Sequence, residues 1–213
     1  MKQLLLFIIA LFQTSMVLAQ SQQDDLAFSL RAAALPIYND YRLGAEASLQ
    51  YYIKDDLSVG GKFQYTFNNF NHGFGYDTPK AIVHYLNIST PIQYDVINDE
   101  RFQLGFGLDP GISLATLRDR TQLKEKEYYN DETGIVTVVK MPIRLNRDAY
   151  FTLTPNIDFS YKLTSIEKNS NTALYLSGNA GYQFSMGAGD FTNSNSFRNY
   201  VVSLGFTIKG TTK

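Results

Sequence analysis

Two histidines and no cysteine leave this 213-residue chain few side chains suited to chemistry. His72 sits in the run Asn71-His72-Gly73-Phe74-Gly75-Tyr76-Asp77, within reach of Asp77. A hydrolase of peptide or lipid needs a histidine held by a carboxylate or set beside a serine. One loop histidine near one aspartate is a weak form of that pattern, and a solvated loop explains it more simply. Two histidines without ligand spacing make no metal site, and the absence of cysteine removes disulfides and thiolate ligands. No catalytic, cofactor-binding or metal-binding residue is assigned, no cofactor is expected, and the chain reads as a non-enzyme. A net charge of -1 and a pI near 6.1, with no basic run, argue against nucleic acid as a partner.

Charges in unusual positions are more informative. Arg31, Glu46, Lys62, Asp109, Lys140, Arg144, Asp158 and Lys162 fall within segments that alternate between apolar and polar residues, always on the polar parity. In residues 101–114 the even positions are Phe102, Leu104, Phe106, Leu108, Pro110, Ile112 and Leu114, against Gln103, Gly105, Gly107, Asp109, Gly111 and Ser113. Residues 150–163 separate in the same way, with Phe151, Leu153, Ile157, Phe159 and Tyr161 opposed to Thr152, Thr154, Asn156, Asp158 and Ser160. The pattern returns in residues 43–54, 57–68, 82–96, 135–145, 174–186 and 200–209, and more briefly in 26–35. Period-2 alternation at this frequency predicts antiparallel strands, and Tyr and Phe at 15 each favour them.

Parity also constrains the turns, because a one-residue slip moves every side chain to the other face. Three short connections satisfy it: Lys54-Asp55-Asp56, residues 97–101 and Asn146-Arg147-Asp148. They pair Ile53 with Leu57, Tyr51 with Val59, Ala47 with Phe63, Val96 with Phe102, Ile92 with Phe106, and Ile143 with Phe151. Glu46 then faces Gln64 and lies diagonal to Lys62, in reach of an ion pair. Between the tight turns lie long polar stretches at 70–80, 116–134 and 164–172, including the mixed-charge run 118–127. Short turns on one rim and long loops on the other are expected of a transmembrane barrel.

Alternation alone leaves open which face is outside. A lipocalin-like soluble barrel keeps apolar residues within, and a membrane barrel inverts that. The polar face here is rich in Gly, Ser, Thr, Asn and Gln, as a narrow lumen requires. From Phe102 to Ile112 the apolar face runs about 33 Å at roughly 3.3 Å per residue, which a tilt near 40° converts to a band of about 25 Å. Aromatics gather near strand ends, with Tyr51, Tyr94, Phe102, Phe151 and Phe184 toward one rim and Phe67, Phe159 and Tyr161 toward the other. The N-terminus fits export. Lys2, the apolar run from Leu4 to Phe12 and Val17-Leu18-Ala19 predict a signal peptide over residues 1–19, cleaved before Gln20.

Residues 20–213 therefore read as one all-β domain, an antiparallel up-and-down transmembrane β-barrel of the outer membrane. Nine alternating segments are visible where such barrels close on an even number. Length favours eight strands, with ten as the alternative, and the opening segment 26–35 is the easiest to discount. A missing strand would lie in residues 116–130 or 187–199. The run Leu86-Asn87-Ile88-Ser89-Thr90-Pro91-Ile92-Gln93-Tyr94, followed by Phe102-Gln103-Leu104-Gly105-Phe106-Gly107, resembles the small outer-membrane β-barrel domain family of Bacteroidota type, a porin-like or OmpX-like barrel. The resemblance spans the chain after its leader and implies an outer-membrane location without an agreed activity. Members often finish on an aromatic that the barrel-assembly machinery reads, whereas here Phe206 is followed by a polar tail to Lys213. The expected role is structural, surface-interaction or narrow-pore, with outer-membrane lipid, lipopolysaccharide, the assembly machinery and a surface protein as partners. A soluble periplasmic ligand-binding barrel and a rim-located outer-membrane enzyme are the alternatives.

Overall fold

The computed structural model describes residues 23–38, 40–99, 101–129, 136–166 and 172–211. The signal peptide read over residues 1–19 lies outside them. Nine strands follow in order: β1 (Asp25–Ile37), β2 (Asp40–Lys54), β3 (Leu57–Phe70), β4 (Ala81–Ser89), β5 (Ile92–Asn98), β6 (Phe102–Tyr129), β7 (Val136–Ser165), β8 (Ala173–Met186) and β9 (Asn199–Thr211). Every pairing is antiparallel, and β9 returns to β1 while β2 pairs β3, so the sheet closes on itself.

The nine segments make eight walls. β4 and β5 are one wall strand broken at Thr90-Pro91, since both lie between β3 and β6. Pro91 has no N–H to give the ladder, but its carbonyl still accepts from Gly60 N at 3.0 Å. The opening segment 26–35, the easiest to discount on the sequence, is a full wall strand, β1. The even count is restored elsewhere, because residues 135–145 and 150–163 belong to a single strand.

That continuity corrects the turn expected at Asn146-Arg147-Asp148. The strand β7 runs straight through it, and Phe151 pairs with Ile112 and Met186 rather than Ile143. An odd-length turn and an uninterrupted strand conserve parity equally, so alternation cannot tell them apart. The loop expected over 116–134 is mostly strand as well. β6 and β7 continue beyond the barrel as a hairpin in which Leu123–Tyr129 pairs with Val136–Pro142, a projection of about 20 Å. Bulges at Leu117/Arg118 and between Asp119 and Leu123 separate it from the wall.

The other predicted registers hold in part. Tyr51–Val59, Ala47–Phe63 and Glu46–Gln64 pair as expected, but a bulge sets Leu57 against Lys54 instead of Ile53. In the next hairpin Ile92 pairs Leu108, not Phe106, and Ile97 pairs Leu104. From Ile92 to Asp95 the slip is two residues and keeps each side chain on its face, and the bulge between Asp95 and Ile97 then brings Ile97 beside outward-facing Leu104.

One rim, the lower, carries residues 23–24, the turn at 55–56, the ends of β5 and β6 at Asn98 and Phe102, the end of β7 and the end of β9. The upper rim carries 71–80, the hairpin, and 187–198 with its short 3-10 turn Ser194–Phe197. The 164–172 connection thus joins the short turns rather than the long loops. The aromatic rims are re-sorted for the same reason. Tyr51, Tyr94, Phe102 and Tyr161 ring the lower end, and Phe159 lies one outward position above Tyr161. Phe67, Phe151, Phe184 and Tyr200 ring the upper end.

Face assignment follows the parity reading. Leu30, Phe106, Ile112, Ile157, Leu204 and Phe206 are exposed on the outside, while Arg31, Glu46, Asp109 and Asp158 are buried within.

Candidate functional site

Inward-facing residues of all eight walls build three layers inside the barrel. The middle layer is a charge network. Arg31, at 6% exposure, donates from Nη1 to Asp158 at 2.7 Å and to Glu46 at 3.4 Å, and from Nε to Ser177 at 3.0 Å. Glu46 also accepts from Gln64 Nε2 at 2.7 Å and Ser203 Oγ at 3.1 Å. Gln64 accepts in turn from Asn87, and Asn87 from Thr152. Lys62 Nζ meets Asp109 at 2.6 Å. A charge removed from water is tolerated only when paired and hydrogen-bonded; here Glu46 accepts from Arg31, Gln64 and Ser203, Asp158 from Arg31 and Asn179, and Asp109 from Lys62.

This arrangement corrects part of the sequence reading. Arg31, Glu46, Lys62, Asp109 and Asp158 do converge in the lumen, but Glu46 pairs with Arg31, directly opposite it on β1, not diagonally with Lys62. Lys140 and Arg144 are exposed on the hairpin, where Lys140 meets Glu125 at 3.0 Å. Lys162 sits half-buried near the lower rim.

The lower layer was missed. Asp95 accepts from Tyr52 Oη at 3.0 Å and Gln93 Nε2 at 2.7 Å. Lys209 donates to Gln103 at 3.0 Å and lies 3.8 Å from the centroid of the Tyr52 ring. Both obey lumen parity, which was the signal available. Space here is tight. A Cβ on Gly105 would stand 2.5 Å from Asp95 Oδ1, and one on Gly107 would stand 2.5 Å from Asn156 Oδ1. The cavity between the middle and lower layers, bordered by Arg31, Gln50, Tyr52 and Lys209, holds about 10 Å³. That is room for about one water at most.

The upper layer is apolar, against the polar pattern below it. Ile37, Val83, Tyr85, Leu117, Tyr150 and Phe197 form a buried cluster that Phe191 closes, with Tyr38, Phe70 and Phe74 packed on it. Phe197 enters from the 187–198 loop and stacks on Tyr85 at 5.0 Å. Gln183 Nε2 donates to Tyr85 Oη and to Phe197 O, both at 2.7 Å. Asp148, expected in a turn, is buried and accepts from the backbone N–H groups of Asp190, Phe191 and Thr192 at 2.9, 3.2 and 3.2 Å. This tie holds the loop down as a stopper.

The histidines do no chemistry together. His72 packs on Phe74 at 4.2 Å and on Phe70 at 5.5 Å. His84 faces outward near the upper rim, with Nδ1 2.6 Å from Tyr65 Oη. Above the wall, Asp119 Oδ1 accepts from Thr121 Oγ1 and N at 2.6 and 2.7 Å and from Thr78 Oγ1 at 2.8 Å. The Thr121 hydroxyl, helped by these other donors, holds the Asp119 carboxyl below the usual carboxylate range. Among the described residues no group of three or more histidines and carboxylates is disposed to hold a metal.

No protein-family model and no curated protein matches the sequence. Solved structures with a similar chain path include Ail, the attachment invasion locus protein of Yersinia pestis, at 12% identity and TM-score 0.48, covering 88% of this chain and 99% of that one. Neisserial surface protein A gives 13% and 0.49, with 87% and 95% covered. The N-terminal β-barrel domain of Pseudomonas aeruginosa OprF gives 10% and 0.44, with 88% and 98% covered.

Proposed function

We propose that this protein is an integral outer-membrane barrel, closed to solutes, that serves as a rigid mount for an outward-projecting β6–β7 hairpin. One observation carries the reading: the exposed face is apolar from Phe102 to Ile112 while ion pairs fill the interior. Water would reward the reverse arrangement. The ladder gives independent support. Along the apolar row of β6 from Leu104 to Leu114 the strand has a neighbour on each side, as hydrocarbon demands. Above Asp119 on β6 and Phe151 on β7 each strand keeps only its hairpin partner, which suits water. Short turns on the lower rim and long loops on the upper support a hairpin directed to the cell exterior, by analogy with the usual orientation.

The narrow-pore role is disfavoured by the stopper and by the 10 Å³ cavity. The ligand-binding alternative needs an apolar interior pocket, and the middle and lower layers are polar. Rim enzymology has no pair to work with once His72 packs on aromatic rings. The Bacteroidota-type family is proposed on residues 86–94 and 102–107 alone, the signal peptide on residues 1–19, and assembly by the barrel machinery on the closed fold.

Fractionation with gel mobility before and after boiling tests the location. The expected result is a membrane fraction whose unboiled band migrates faster, with Gln20 as its first residue. Recovery in the soluble periplasm without detergent would refute the proposal. In planar bilayers the protein should be electrically silent, and steady conductance steps would overturn the closed lumen.

A further inference from the structure

Three arginines stand on the outward face where the wall gives way to the hairpin. Register fixes their direction: Arg118 pairs Ile82 on one side and Arg144 on the other, and Thr116 pairs His84 and Arg147. Ile82 and His84 lie on the outward parity of β4, so all three arginines face away from the lumen. Arg118 and Arg144 are directly opposed like charges, which destabilises a strand pair on its own. Arg147 Nε donates to Thr116 at 3.2 Å, whereas Arg118 Nε is buried without a hydrogen-bond partner. Together with Lys124 these arginines border a concavity of about 530 Å³, backed by Met141, Pro142 and Ile143. None of the four cations is paired with a carboxylate among the described residues. Nearby Asp119 is committed to Thr78 and Thr121, and Asp148 to the 187–198 loop.

We propose that this concavity binds the phosphate-bearing headgroup of a lipid in the outer leaflet. The inference rests on the membrane reading above and names the lipid class that the barrel selects. Height is the first argument. Arg118 lies four residues beyond Leu114, the last of the apolar outward row on β6, hence about 13 Å farther along the strand. Headgroups sit at that level, and acyl chains below it would lie on Leu114, Ile112 and Ile88. Chemistry is the second. Guanidinium forks bind phosphate bidentately and outcompete lysine in doing so, and a cationic pocket beside a bilayer is the setting in which lipid phosphates are captured. A phosphate between Arg118 and Arg144 also relieves their repulsion.

The test titrates refolded protein in neutral detergent with lipid A, with the same lipid dephosphorylated, and with inorganic phosphate, reading bound lipid by native mass spectrometry. Wild type should hold the phosphorylated lipid about tenfold more tightly. The triple variant R118Q/R144Q/R147Q should lose that preference, while R101Q on the lower rim keeps it. Equal retention of the two lipids, or a preference that survives the triple variant, overturns the proposal. Inorganic phosphate that competes at the lipid's own concentration reassigns the site to a free anion and overturns it too, as does displacement of the lipid by an acidic protein ligand alone. Heat-modifiable mobility is checked for each variant, and if the triple variant does not fold, R144Q and R147Q singly must each weaken the preference. A wild type that never inserts into vesicles fails at the membrane reading instead, which separates the two outcomes.

Discussion

At the residue scale, Arg31 decides the middle of the barrel. It joins β1 to β7 across the lumen through Asp158, and to the neighbouring β2 through Glu46. Arg31→Met leaves two buried carboxylates without their cation, and breaking a buried pair in this way costs about 3–5 kcal/mol. Urea unfolding in bilayers of short-chain lipid reads that loss directly. A triple replacement of Arg31, Glu46 and Asp158 by apolar residues of similar volume should recover most of it, because the network's cost lies in unpaired charge. Only half of this was legible in the sequence. Parity placed Arg31, Glu46 and Asp158 inside, since a two-residue period needs nothing but local information. Choosing Asp158 as partner needs the closed ring, which brings together residues 127 apart in the chain. Glu46 is matched to Lys62 in the sequence because only the β2–β3 register is fixed by a tight turn, whereas Arg31, directly opposite Glu46, lies on the short opening segment.

Elements show where local reading fails. The stopper loop depends on Asp148, whose carboxylate accepts three successive backbone N–H groups. Asp148→Ala leaves those donors unpaired, at about 1–3 kcal/mol for each buried orphan. Residues 187–198 should then become sensitive to protease while the barrel stays resistant. Gly189→Ala should act similarly, because its Cβ would fall 2.4 Å from Asp148 Oδ2 and 2.2 Å from Tyr150 Oη. Asp148 was misread because a polar triplet between alternating segments is the usual mark of a turn, and an odd-length turn leaves parity intact. The upper apolar layer was hidden for the opposite reason. Val83, Tyr85 and Leu117 sit on lumen parity, where the pattern elsewhere is polar. In the bulge above, Thr121→Val should return the Asp119 carboxyl toward its ordinary range. The wild-type contribution is present above the unfolded carboxylate pKa and is lost as pH falls through the depressed folded value. Carboxyl NMR titration in micelles follows both.

For the whole molecule, the governing quantity is which solvent each face meets. The outward row on β6 and β7 spans from Phe102 and Tyr161 at the lower rim to Ile112 and Phe151 at the upper. Phe106→Arg near mid-height should cost about 2–4 kcal/mol in a bilayer, whereas Tyr161→Arg at the rim should cost about 0–1 kcal/mol. Equal costs at both depths would argue against a hydrocarbon slab. The fold class and the inside-out polarity are readable in the sequence, because alternation is a direct consequence of a period of two, whereas the even strand count comes from residues 135–145 and 150–163 forming one strand, which alternation does not reveal. The hairpin is not readable there either, since its mixed charges at 118–127 resemble any solvated loop.

Because the chain contains no tryptophan, a single introduced indole reports its surroundings without background. Phe106→Trp and Phe206→Trp place it on the outer face, and Tyr85→Trp places it inside. In vesicles of lipids brominated along the acyl chain, the two outer indoles should be strongly quenched and the inner one spared. Quenching of the Tyr85→Trp protein alone, or of none of the three, would contradict a barrel whose outer face is dissolved in lipid.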